Sequence, residues 1–229
     1  MTTAHATAFA TFVRDAHTAL SQQDRDKTPE ANARAQRQGI QQARSALAAR
    51  IPTVPEITGP TRAEVLDGLR PTTADTLAVA AREREKIQAL QNAGRRLDQI
   101  ITGASPARLG AILDSLETLP EVLASSEGAH IVAEFEALAF DRLAALGYEP
   151  AVERIREEEA VAPDAAWSRV MMEALDGPVT VGAWTALYRA DEAGYREAQA
   201  AEIDGLGEAL RRSDREQERG DFTADAVVV

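Results

Sequence analysis

The chain has 229 residues, a net charge of −12 and an apolar fraction of 45%, which indicate an ordinary globular protein. The acidic balance argues against direct nucleic-acid binding, and the absence of cysteine excludes disulfides, thiolate metal sites and cysteine nucleophiles. No stretch approaches the roughly 20 apolar residues of a membrane span. Residues 1–20 also lack the pattern of a secretory signal. We therefore expect a soluble protein that is cytoplasmic when synthesised.

Alanine is the most informative part of the composition. It supplies 46 residues and is the best helix former, whereas aromatic residues make up 4% of the chain. These proportions predict helices packed closely on helices, with a thin interior that favours oligomerisation. Only two of the 25 basic residues are lysine. This preference is typical of GC-rich genomes, such as those of actinobacteria and their phages.

The N-terminal part of the chain predicts two helices and a linker. Residues 4–24 carry apolar side chains at helical spacing. A second helix is expected to begin at Thr28 and Pro29, an N-cap followed by proline, and to end near Arg50. Its apolar stripe is narrow, so its Gln- and Arg-rich face is either solvated or held by a neighbouring subunit. Three prolines in residues 51–60 predict an extended linker.

The rest of the chain also has helical patterns. Helices are expected over residues 62–69, from Thr72 or Thr73 to Gly103, from Ser105 and Pro106, from Pro120, between Gly128 and Gly147, from Pro150, from Pro163, and from Thr180 to Ser213. The segment between Gly128 and Gly147 is the most apolar, so we expect it, with Phe135 and Phe140, at the centre of the fold.

The predicted fold is therefore an all-α, multi-helix bundle with long helices. Its expected parts are an N-terminal helical arm (residues 1–50), the proline-rich linker (51–60), a helical body (61–213) and an extended C-terminal tail (214–229). Because the linker separates the arm from the body, we expect the body to fold without the arm.

One group of residues resembles a metal-binding motif. Glu127 and His130 have the Glu-x-x-His spacing of di-iron helical bundles, and Glu134 lies one turn further on. Such a site needs a second copy of the motif, which this chain lacks, so only a symmetric oligomer could complete it. Glu127 is explained equally by its position at a helix N-terminus. We predict no cofactor or metal, and keep these three residues as the candidates of an alternative hypothesis.

No other pattern predicts an enzyme. The acidic run from Glu157 to Glu159 is expected to be solvated, because neighbouring residues on a helix do not face each other across a cleft. Trp184, Tyr188 and Tyr195 fit either a core or the wall of a pocket. The histidines within residues 4–24 lack ligand spacing and are expected at the surface. No Gly-x-Ser-x-Gly turn is present.

The C-terminal tail is the predicted partner-binding segment. Phe222 and three successive valines, Val227, Val228 and Val229, follow a charged stretch without an apolar face. β-Branched residues favour an extended strand, which could add to the sheet edge of another protein. The alternative is a disordered tail. Under the docking hypothesis, deleting residues 222–229 should weaken assembly and leave the melting temperature nearly unchanged.

The sequence thus predicts a non-enzymatic helical structural protein that binds other protein subunits through its termini and forms a homo-oligomer. The most specific version is a phage virion component, such as a head–tail neck adaptor. The alternatives are a helical bundle that binds a metal or small ligand, and a cytoplasmic adaptor or regulator. Binding to nucleic acid or to a membrane is not expected.

Overall fold

The computed structural model describes the backbone of residues 4–225, and their side chains except at 120, 121 and 217–225. This part of the chain contains helices and no strand, which confirms the predicted all-α, multi-helix class. The α-helices are α1 (Ala4–Ser21), α2 (Pro29–Ala48), α3 (Arg62–Asp67), α4 (Ala74–Asn92), α5 (Leu97–Thr102), α6 (Pro106–Ser115), α7 (Pro120–Leu123), α8 (Gly128–Ala145), α9 (Glu149–Asp176), α10 (Val181–Ala190), α11 (Glu192–Ala201) and α12 (Leu206–Asp225). Of the described helices, none combines the length and apolarity needed to cross a membrane.

Hydroxyl side chains begin several helices where the sequence predicts a start. The Thr28 hydroxyl accepts a hydrogen bond from the Ala31 amide (3.3 Å), and Pro29 follows at the first helical position. Thr61 begins α3 with a capping box: its side chain accepts from the Glu64 amide, and the Glu64 carboxylate accepts from the Thr61 amide. These starts depend on local chemistry, which is why the sequence reveals them.

The long helix predicted from Thr73 to Gly103 is wrong, because the chain turns between α4 and α5. Gly94 has a φ of +83°, which a residue with a Cβ rarely adopts. Its amide donates to Gln91 O (2.8 Å), and the Arg95 amide donates to Leu90 O (3.0 Å), so α4 ends in a Schellman motif. Apolar residues continue at helical spacing across this turn, which concealed the break.

The predicted helix from Thr180 to Ser213 is also wrong, since this segment forms α10, α11 and the beginning of α12. Asp191 ends α10 and begins α11, where its carboxylate accepts from the Gly194 amide (2.9 Å). α12 then continues to Asp225, so residues 214–225 are helical rather than extended. Glu, Gln and Arg in this stretch are good helix formers even without an apolar stripe.

Pro150 and Pro163 do not begin two separate helices, because α9 is one helix of 28 residues with Pro163 inside it. An internal proline removes one backbone hydrogen bond and costs about 3 kcal/mol. Buried side chains in the next turn, Ala166 and Trp167, anchor the helix beyond the proline. Tertiary packing therefore overrides the helix-breaking tendency of proline at this position.

The chain divides into two compact units, each with its own core. The first unit comprises residues up to Glu56 together with those from Glu159, and the second comprises Ile57–Glu158. The largest fully buried side chains of the first core are Leu47, Trp167, Val170, Met171, Leu187 and Leu210. Those of the second core are Ile101, Leu109, Leu113, Leu116, Phe140 and Leu143.

This division differs from the arm and body that the sequence suggests. Residues 51–60, the predicted linker, are non-helical, and the boundary between the units falls after Glu56. However, the helices before them share a core with the end of the chain: Phe9 and Phe12 of α1 are buried in the same cluster as Trp167. Hydrophobic periodicity shows which face of a helix is apolar but not which distant segment covers it. The shared core of the first and last helices could therefore not be predicted from the sequence.

α8 is less central than its composition predicts. Phe140 and Leu143 are fully buried in the core of the second unit. Phe135 is only half-buried, and Leu146, which directly follows the helix, is 40% exposed. The wide apolar arc of α8 is therefore covered on one side only.

Candidate protein-binding surface

The most conspicuous surface of the first unit lies on α10. The Thr180 hydroxyl accepts from the Ala183 amide (3.2 Å) and begins the helix. Val181, Trp184 and Tyr188 then follow at i, i+3 and i+7, so they share one face. Val181 is 82% exposed and Tyr188 is 49% exposed, although both are large apolar side chains. Among the described residues, nothing in the same unit covers Val181 and Tyr188 fully.

The break at Asp191 brings a further aromatic ring to this face. α11 places Tyr195 between the two aromatic residues of α10, edge-on to both. The ring centroids are 5.9 Å apart for Trp184 and Tyr195, and 5.4 Å apart for Tyr188 and Tyr195. Edge-to-face pairs at such distances are favourable. We call Val181, Trp184, Tyr188 and Tyr195 the aromatic surface.

The aromatic surface is held from behind by buried rings. Phe9 of α1 meets Trp184 edge-on at 5.7 Å between centroids and also contacts Trp167 at 6.4 Å. Trp167 is fully buried, and its Nε1 donates a hydrogen bond to Asp191 Oδ2 (3.0 Å). The other oxygen of Asp191 caps α11, so one carboxylate fixes both the helix break and the central tryptophan. The surface is therefore pre-organised by the core beneath it.

The sequence is compatible with either a core or a pocket wall for these aromatic residues. The structure instead places Trp184 and Tyr195 half-buried at the edge of the core, and Tyr188 at the surface. His5, expected at the surface, lies half-buried, 6.1 Å from the Trp167 ring and with Nε2 3.3 Å from Asp164 Oδ1. This arrangement was not predicted because it depends on the helix break at Asp191. The Asp-Glu-Ala-Gly motif at residues 191–194 is the sequence signal that could have indicated this break.

The three metal-ligand candidates lie at the surface of the second unit. His130 Nε2 is 3.3 Å from Glu134 Oε1, and these side chains are 71% and 65% exposed. Glu127 stands at the N-terminal end of α8, exposed, and its amide donates to the Ser125 hydroxyl (3.0 Å). Within the part of the chain that the structure describes, no three His, Asp or Glu side chains form a group that could hold a metal ion. One chain therefore does not form a complete metal site among its described residues, and the alternative that needs a second copy stays a prediction.

The acidic run ending at Glu159 is only partly solvated. Glu158, expected in solvent, accepts hydrogen bonds from Arg62 (Nη2 to Oε2, 2.6 Å) and from Arg154 (Nε to Oε1, 2.7 Å). Arg62 also lies over the Phe140 ring, 4.6 Å from its centroid. The hydrogen bond from Arg62, followed by that from Arg154 and by the two positive charges, holds the pKa of Glu158 below its usual 4.5. This ion-pair cluster ties α3 to α9 within the second unit.

Glu158→Gln is expected to destabilise the second unit at neutral pH by about 1 kcal/mol, the upper range for partly exposed ion pairs. Because the folded-state pKa of Glu158 is lowered from 4.5, its contribution is complete above that pH and is lost as the pH falls through the depressed value. Urea unfolding at pH 7 and at about pH 3 would test this. Glu159→Gln, at an exposed neighbour, is the matched control. The same loss of stability at both pH values would contradict the prediction.

The predicted partner-binding residues of the tail can be placed only in part. Phe222 belongs to α12 by its backbone, and its side chain is outside the described residues. Val227, Val228 and Val229 lie wholly outside them. The docking-strand hypothesis therefore remains a prediction.

Comparison of this chain with models of known protein families, with curated proteins and with solved structures finds no match. Its function is therefore inferred from its own surfaces.

Proposed function

We propose that this protein is a non-enzymatic helical assembly subunit, and that the aromatic surface binds a different protein. The partner offers an apolar pocket into which Tyr188 and Val181 insert. The observation that carries this proposal is the exposure of large apolar side chains on a rigid frame, with Val181 82% exposed and Tyr188 49% exposed.

The chemistry of the aromatic surface supports binding to protein. Tryptophan and tyrosine are enriched among the residues that dominate binding energy, since each buries a large area and keeps a polar atom for hydrogen bonding. The contacts of Trp184 with Phe9 and Tyr195 hold these rings before a partner arrives. A pre-organised surface loses little conformational entropy on binding, which favours affinity.

The specific version of this proposal is a subunit of a phage particle, such as a ring-forming adaptor between head and tail. It is supported by the all-α architecture and by the alanine-rich, lysine-poor composition, which is typical of GC-rich genomes and their phages. It also includes self-association into a homo-oligomer. This version rests on analogy of architecture rather than on a motif.

Val181→Glu is expected to abolish recovery of the partner in pull-downs from the source cells, because it places a charge in an apolar contact. The change should not affect folding, since position 181 is exposed and an acidic residue at the first position of α10 suits the helix dipole. Val54→Glu is the matched control, because Val54 is also an exposed valine (41%) but lies in a non-helical segment. Quantitative mass spectrometry of the three pull-downs measures the difference.

A photo-crosslinking residue in place of Tyr188 provides a direct second measurement. It should form a covalent adduct with another protein chain, and the same residue at position 54 should not. Equal recovery of every partner by the Val181→Glu chain and the parent chain, together with no adduct from position 188, would overturn the proposed binding surface.

The phage version has a separate test. Particles induced from the source strain and purified by density gradient should contain this chain at a fixed stoichiometry to the other virion proteins, as measured by mass spectrometry. Absence from the particles, with a partner still bound through the aromatic surface, would favour a cytoplasmic adaptor instead.

A further inference from the structure

The outer face of α2 carries positive charge that forms no ion pair with the described residues of its own unit. Residues 31–55 contain four arginines and no acidic residue, although the whole chain has a net charge of −12. Arg34, Arg37 and Gln41 are exposed and follow at i, i+3 and i+7, so they form one stripe. Ile40, Ala43 and Leu47 face the core on the opposite side. The stripe is therefore a polar, cationic helix face without a covering element among the described residues.

Arg44 shows what an arginine on α2 can bind. Arg44, at the side of the helix, donates from both Nη atoms to the carboxylate of Asp214 on α12, each at 2.8 Å. Its side chain is only 18% exposed. This fork pairs the helix with an acidic helix of the same unit. Within the described part of the chain, Arg34 has no carboxylate partner of this kind, and Arg37 donates to the Ala33 carbonyl of its own helix (3.3 Å).

A complementary face lies on α8. Residues 109–141 contain seven acidic residues and no lysine or arginine. On α8, Glu134, Ala137 and Asp141 are exposed and follow at i, i+3 and i+7, the same spacing as the stripe on α2. Both stripes therefore extend over about 10 Å of helix. Ala137, a small residue, lies between the two acids, and Glu134 also contacts His130 of its own helix (Oε1 to Nε2, 3.3 Å).

We propose that the Arg34–Arg37–Gln41 face of α2 binds the Glu134–Ala137–Asp141 face of α8 in a second copy of this chain. Opposite charge on two faces of equal length supports a second copy as the occupant, because the complementary face is present in every molecule. Every copy carries both faces, so two copies can exchange the contact reciprocally in a dimer, or successive copies can join until a ring closes. The inference rests on the proposed role as an assembly subunit and adds the contact between like subunits.

Sedimentation velocity of the full chain over a range of concentrations would test the proposal. The parent chain should exceed the mass of one 24.6 kDa subunit as concentration rises. R34E/R37E should weaken self-association by about tenfold or more, because like charges then face each other. E134R/D141R should do the same. Arg82 and Arg156 are exposed arginines elsewhere, so R82E/R156E is the control of equal charge change and should leave the mass unchanged.

Restoring opposite charges on the two faces provides the decisive experiment. A mixture of the R34E/R37E and E134R/D141R chains should associate, because each reversed face then meets a face of opposite charge. The chain with all four changes should also self-associate. Circular dichroism checks that every variant remains helical.

Three outcomes would overturn the inference: a parent chain that is monomeric at all concentrations, a charge swap that does not restore association, or an α2 face that instead shifts nucleic acid in a gel. Failure of the proposed partner binding is distinguishable, because that binding depends on Val181 and Tyr188 and is measured with a different protein. Val181→Glu should leave the concentration dependence of the mass unchanged.

Discussion

Replacing Phe140 with alanine is expected to lower the free energy of unfolding of the second unit by about 3–5 kcal/mol, the usual cost of emptying a phenylalanine-sized core site. Phe140 is fully buried among the residues of its core, and the Arg62 guanidinium lies 4.6 Å from its ring centroid. The substitution therefore creates a cavity and also removes the ring beneath Arg62. Urea unfolding followed by circular dichroism would measure the loss.

Phe135→Ala is the matched control on the same helix. Phe135 is half-buried and lines an open groove with Arg95 and Ile131, so we expect a loss of only about 1–2 kcal/mol, in proportion to the apolar area it hides. This expectation revises the equal burial that the sequence predicts for the two residues. Equal losses for both variants would show that the groove at Phe135 is closed in solution.

Removing residues 1–50 is expected to abolish cooperative unfolding of the first unit. α1 and α2 contribute Phe9, Phe12 and Leu47 to the same core as Trp167, all at most 4% exposed. The two helices also pack closely, because a Cβ at Gly39 would lie 2.8 Å from the Ala19 Cβ. The remaining helices would expose this apolar surface. The second unit keeps its own core, so part of the helical signal should survive.

Differential scanning calorimetry of the truncated chain would measure this effect as the loss of one transition. A pair of point variants provides a milder test: Leu47→Asp places a charge in the core and should unfold the first unit, whereas Ser45→Asp, at an exposed position on the same helix, should not. A truncated chain with the parent's full unfolding enthalpy would mean that the N-terminal helices are the detachable arm that the sequence suggests.

The sequence by itself determines the helix class and most helix starts, because these depend on local chemistry. Alanine content favours helix throughout, and Thr28, Thr61 and Ser105 stand at N-caps whose hydrogen bonds reach only three residues along the chain. The linker at residues 51–60 follows in the same way from the fixed φ of proline. Such signals are complete within a few residues, so no tertiary information is needed to interpret them.

The tertiary structure alone decides which helices share a core and whether a helix continues through a proline. Pro163 stays inside α9, although proline alone predicts a helix start, because the next turn is anchored in the first core. The aromatic surface exists because Asp191 caps α11 and also accepts the Trp167 indole hydrogen, a pairing 24 residues apart. Long-range contacts of this kind have no fixed spacing along the chain. The sequence shows which residues are apolar or charged. Only the fold determines which of these side chains contact each other and which stay exposed.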